Sequence, residues 1–140
     1  MRLPTFERDF WQLRSGEESH RDHPETFALP PLEQRQSLRR GQAAKLIFEI
    51  ETEDENGKVV LTGERMWVIV AERKGEMFIG ILDCQPACMA PEDTAYLRFG
   101  AEVPFTAEYV IEIAEPPPSY VEWQLSQPPE RIWPRDDHVA

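Results

Sequence analysis

Regular alternation of apolar and polar residues begins at Ala43 and organises the middle of the chain. In AAKLIFEIETEDENGKVV, Ala44, Leu46, Phe48 and Ile50 fall on one face, and Lys45, Ile47, Glu49 and Glu51 on the other, the period-2 pattern of a strand. Asn56-Gly57 follows, a strong hairpin signal because both residues tolerate positive φ. Leu61 to Ala71 returns as a second strand, Gly75 turns the chain again, and Met77 to Asp83 forms a third. In the second strand Met66, Val68 and Val70 face one side while Trp67, Ile69 and Ala71 face the other, so apolar residues occupy both faces. Such a strand must be covered twice. One cover is the sheet core. For the other the chain offers an aromatic N-terminal arm (Phe6, Phe10, Trp11, Phe27) and an aromatic tail (Tyr120, Trp123, Trp133). Burying one such ring is worth roughly 1.5–3 kcal/mol, enough to pin an irregular arm. The alternative cover is another molecule.

Further on, CQPACMAPEDTAY reads as loop, with room for one helical turn after Pro91. Val103 to Phe105 is a short strand whose Pro104 belongs at an edge or an end. A last strand, Tyr109 to Ile113, puts Tyr109, Ile111 and Ile113 on one face. Before the sheet, PPLEQRQSLRRG predicts a short helix that starts at proline and stops at Gly41. The predicted fold class is α+β, mostly β: a small, strongly bent antiparallel sheet or partly open barrel of about five strands. Six of the 13 prolines follow Glu115 and four lie in the first 31 residues. The expected organisation is therefore an N-terminal arm with a short helix (1–40), a β-rich core (41–115) and a Pro-rich tail (116–140).

Charge narrows the partners. The chain carries −11 over its 140 residues. Residues 1–40 are balanced, and residues 41–115 hold six basic and fifteen acidic side chains. An acidic body argues against nucleic acid or an anionic membrane as ligand and makes a basic protein the natural complement. No segment approaches the ~20 apolar residues that cross a bilayer, and MRLPTFERDFWQLRSGEE has no apolar stretch of the kind a signal peptide needs. Cys84 and Cys88 are too few for a disulfide framework. A cytoplasmic, reduced protein is the expectation.

The chain carries only fragments of catalytic and metal motifs. Cys84 and Cys88 have C-x3-C spacing, but structural zinc takes four ligands, and His20 and His23 stand some sixty residues upstream in a polar loop. The chain has no Gly-rich phosphate loop, no G-x-S-x-G elbow and no H-E-x-x-H helix. No cofactor, no metal and no enzymatic activity are expected; Cys84 with a histidine base is the one catalytic alternative. PPPSY has the Pro-Pro-x-Tyr pattern of polyproline ligands, and the prolines serve more simply to stiffen the exit of the tail. The sharpest feature is acidic. Glu49, Glu51, Glu53 and Glu55 occupy alternate positions, and a strand persisting to Glu55 would project all four from one face, about 6.5–7 Å apart. Such a row could occupy a cationic groove and block it. The same row also describes the solvated face of a half-buried strand that discourages edge pairing. A second reading places a small ligand or peptide over Trp67, in a pocket rimmed by Arg65.

The stretch GERMWVIV … FIGILDCQPACM … FGAEVPFTAEYVIEI resembles the YegJ-like family of uncharacterised bacterial domains. Met66-Trp67-Val68, Gly80-Ile81-Leu82, Asp83 with Pro86, and Gly100 with Val103 and Phe105 carry the likeness, over roughly residues 38–113. Cys84 stands where that pattern favours Asn, and Ala101 where it favours Asp. The resemblance implies a small bacterial α+β domain, and a role of the kind suspected for some relatives, as immunity proteins against secreted toxins.

Overall fold

The trunk of the sheet is β2 (Ala43–Glu53), which carries a strand on each of its edges. In this computed structural model, which describes residues 1–89 and 95–135, β2 pairs antiparallel with β3 (Val59–Lys74), from Ala43 opposite Ile69 to Glu53 opposite Val59. β3 pairs with β4 (Met77–Leu82), and β4 with β5 (Glu102–Phe105). The far edge of β2 is shared end to end. β1 (Trp11–Arg14) lies against Ile47 to Ile50, and β6 (Glu112–Ala114) against Ala43 to Lys45. The result is a curled antiparallel half-barrel, mostly strand, with a few short helices.

The three hairpin strands form where alternation places them, and β3 is longer than expected at both ends. A bulge at Ala71, between the pairs Val70–Gly80 and Glu72–Ile79, bends the sheet. Pro104 lies on β5, the last strand of the order, where its missing N–H costs no ladder bond. The final strand is shorter than expected. Ala107–Tyr109 forms a 3-10 turn, and pairing begins when Ile111 donates its N–H to the Lys45 carbonyl (2.9 Å). The helical turn expected after Pro91 lies outside the described residues.

Both arms carry more regular structure than their composition suggests. The one-turn helix α1 (Phe6–Asp9) is capped by the Thr5 hydroxyl and stopped by Phe10 at φ +66°. Ser15 caps α2 (Gly16–Asp22), accepting from the Glu18 N–H, and His20 and His23 lie at the end of this helix rather than in a plain loop. α3 (Leu32–Gln36) is the predicted helix, but it ends at Ser37, and Gly41 at φ +96° instead turns the chain into β2. In the tail, Pro117 and Pro118 start α4 (Pro118–Ser126).

Both faces of the central strands are covered by the chain itself. Ala44, Leu46, Phe48 and Ile50 meet Met66, Val68, Val70, Phe78, Leu82, Val103 and Phe105 in one core. Trp11 and Trp133 join this core from opposite ends of the chain, their ring centres 5.8 Å apart, with Tyr96 against both. The Trp133 indole N–H donates to the Arg2 carbonyl (3.0 Å). On the second face, Ile47, Ile69 and Ile81 are also buried. There α4 anchors through Tyr120 and Gln124, which both donate to Asp83 Oδ1, and Phe27 lies under the Arg65 guanidinium. Phe10 and Trp123, two of the candidate covers, remain largely exposed.

Two buried charges fasten the arms. Arg35 reaches Glu17 (2.8 Å) and the carbonyls of Pro30 and Ala107 (2.9 and 2.8 Å). Glu102 receives two bonds from Arg135 (2.7 and 2.8 Å) and the Trp133 N–H (2.9 Å).

The closest approach in the core is at Gly80, where an added Cβ would lie 2.6 Å from Val68 Cγ2 and 3.3 Å from a Phe105 ring carbon. Gly80→Ala should destabilise the fold by about 1–3 kcal/mol in a chemical denaturation curve, because neither neighbour has room to withdraw.

Candidate functional site

Beyond Ile50 on β2 and before Thr62 on β3, the sheet narrows to two strands. There Glu51 faces Leu61, Thr52 faces Val60 and Glu53 faces Val59. Among the described residues the only further backbone tie is the Glu51 N–H donating to the Phe10 carbonyl (2.9 Å). The ribbon closes at Asp54, whose Oδ1 accepts from the N–H groups of Asn56 and Lys58 (2.8 and 2.9 Å). Gly57 takes φ +77° and Asn56 does not, so one of the two predicted turn residues supplies the left-handed step.

The glutamate row is therefore shorter and less uniform than the alternation suggests. Glu55 lies in the turn, because the Asp54 side chain ends the strand at Glu53. Glu49 is engaged inside the sheet: Arg14 donates to it twice (3.1 and 3.2 Å) and Gln12 once (3.1 Å). Gly63, opposite Glu49, leaves the space for this, since Arg14 Nη2 lies 3.6 Å from where its Cβ would be. Among the described residues, Glu51, Glu53 and Glu55 make no side-chain hydrogen bond or ion pair. Beside them stand three exposed aliphatic side chains: Val59 (53% exposed), Val60 (39%) and Leu61 (63%). Sequence reasoning missed these three. Their signal was an apolar run directly after the turn, which looked like ordinary strand until its lack of cover was visible.

Arg65 and Trp67 lie on the outer face of β3. The Arg65 guanidinium is 5.4 Å from the Phe27 ring centre, and Lys45 Nζ is 5.3 Å from that of Trp67. Trp67 is half-buried. Among the described residues four cavities lie elsewhere, one of 610 Å³ between Arg39–Gln42 and α4, and neither Arg65 nor Trp67 lines any of these four.

Glu64, on the inner face of β3, anchors the loop after β4 by accepting from the N–H groups of Ala87 and Cys88 (2.8 and 2.9 Å). Partial burial acts to raise its pKa, but the Cys88 side chain and these two N–H groups outweigh burial and hold it below 4.5. Burial, and then the Glu64 carboxylate, push the Cys88 thiol up to about 12. Burial, with Glu64 and Asp83 nearby, raises Cys84 as well. Both thiols are thus held protonated at neutral pH, which disfavours a nucleophile. His20 Nδ1 is 2.6 Å from the Phe27 carbonyl at the end of α2. Among the described residues no three His, Cys, Asp or Glu side chains cluster as metal ligands, and no helix is long and apolar enough to cross a membrane.

No family model, curated protein or solved structure matches the chain.

The thiol and Glu64 assignments are testable together. At pH 7.4 both cysteines should alkylate more slowly than a free thiol of ordinary pKa, with the Cys88 rate still climbing above pH 10. Glu64→Gln should accelerate Cys88. Because the folded pKa of Glu64 is depressed, its stabilising contribution is present above about pH 4.5 and is lost as pH falls through the folded value. Acid unfolding curves of Glu64→Gln should lack that part of the pH dependence.

Proposed function

We propose that the chain is a non-catalytic protein-interaction domain whose β2–β3 ribbon engages a basic protein. The observation that carries this reading is the pairing, on one projecting ribbon, of unpartnered Glu51, Glu53 and Glu55 with exposed Val59, Val60 and Leu61. Exposed aliphatics on an uncovered strand invite association. The neighbouring carboxylates bias that association toward positive charge, and an acidic body accelerates the encounter. An inhibitor or immunity-type role, with the ribbon occupying a cationic groove, is the specific form we favour. It agrees with the resemblance to YegJ-like domains and with two free cysteines suited to a reducing cytoplasm.

The test is a comparison of the wild-type chain with a Glu51→Gln/Glu53→Gln variant in capture from cell extract, at low and at high salt. The wild type should retain a basic protein that is lost near 1 M salt, where the screening length falls to about 3 Å. The variant should bind that protein at least tenfold more weakly while its unfolding free energy stays within about 0.5 kcal/mol of wild type, as for other surface changes. Equal capture by the two chains would remove the carboxylates from the reading.

A further inference from the structure

The ribbon has a second property besides its side chains: one of its backbone edges is open. Val70 exchanges hydrogen bonds with Gly41 and Gln42 on the β2 side, whereas the Trp67 carbonyl accepts from the Asp83 N–H on the β4 side. Backbone groups alternate in direction along a strand. Hence the N–H and C=O groups of Val59, Leu61, Gly63 and Arg65 point away from β2. β4 does not reach them, since its pairing with β3 starts at Val68 opposite Leu82. Among the described residues no backbone group bonds to this edge, which runs seven residues, about 23 Å.

We infer that this edge of β3 receives an extended, basic segment of the partner as an added antiparallel strand. The inference rests on the reading of the ribbon as the interaction surface and specifies its mode. Main-chain hydrogen bonds would supply affinity, and alternate side chains would supply selectivity. The occupant's chemistry follows from register. Peptide residues whose N–H groups face the edge lie opposite Val59, Leu61 or Gly63, with side chains on the outer face. Across β3 on that face stand Glu53 and Glu51, two strand spacings or about 9.6 Å from the added strand. A lysine or arginine there lays its aliphatic stem over Leu61 or Val59 and carries its charge to the glutamates. The intervening peptide residues share the inner face with Val60 and Thr62 and are best aliphatic. Gly63 carries no side chain of its own, but the Arg14 Nη2 lies 3.6 Å from where its Cβ would be, so the basic residues of the segment belong opposite Val59 and Leu61. A second copy of the chain is the less suitable occupant, because each copy carries −11.

The experiment uses the full chain and an octapeptide of alternating lysine and valine, titrated by fluorescence anisotropy at low salt. Two partner peptides carry N-methyl groups, one at the lysines and one at the valines. The plain and valine-methylated peptides should bind alike, and the lysine-methylated peptide at least tenfold more weakly. Hydrogen exchange should slow at the amides of Leu61, Gly63 and Arg65 when the plain peptide is present. Leu61→Pro, which removes one outward N–H and keeps the bonds to β2, should weaken the plain peptide to a similar degree. Since N-methylation leaves the protein unaltered, the comparison holds even if that variant folds poorly. Equal affinity for all three peptides overturns strand addition and leaves the acidic-ribbon reading standing, as attraction by charge alone. Failure of every peptide to bind, an unstructured lysine-glycine control included, overturns both. Slowed exchange at these amides without peptide, together with a dimer by sedimentation, overturns the basic occupant in favour of a second copy.

Discussion

The requirement that β3 and β4 be covered on both faces governs the rest of the structure. A small sheet can bury one face by curling, and this one does so around Phe48, Phe78 and Phe105. The other face, with Ile47, Ile69 and Ile81, must be closed by chain from outside the hairpins. α4 and Phe27 meet that need, and they are fixed by directional bonds: Tyr120 and Gln124 to Asp83, and Arg65 over Phe27. The termini serve the inner face in the same manner. Trp11 and Trp133 close the mouth of the half-barrel, and Arg2 is tied to both Asp9 and Trp133. Arms that look irregular in composition are integral to the core.

Coverage also has a limit, and the limit defines the candidate site. β1 stops pairing at Ile50 and β4 at Val68, so the tip of the β2–β3 hairpin is left with a single neighbour per strand. A two-stranded ribbon is marginal alone in water, and this one is supported by the Asp54 turn and by continuity with the sheet. Its aliphatic residues are those the sheet had no means to bury.

The acidic charge is likewise divided by the fold. Asp9, Glu49, Glu64, Asp83 and Glu102 are acceptors in specific internal bonds, where a carboxylate takes two or more donors at once. Among the described residues Glu51, Glu53 and Glu55 are not so used. Net charge alone gives no means of telling these groups apart, although one set maintains the structure and the other is free to meet a partner.

Period-2 alternation was enough to place β2, β3 and β4, because each strand's burial is written in its own residues. Pro104 could be assigned to an edge because its missing N–H excludes a central position. Caps at Thr5 and Ser15 are equally local, and Ser15 to Glu18 has the spacing of a capping box, but the two short helices they start were not read from the sequence, because no apolar periodicity follows them. The acidic row could be read in the chain, but its true length could not, since Arg14 reaches Glu49 only once β1 docks. The docking of β1, the position of α4 and the exposure of Val59 to Leu61 were decided by tertiary structure. Each depends on which distant segment arrives to cover an apolar face, and side-chain periodicity records that a face needs covering without recording what covers it.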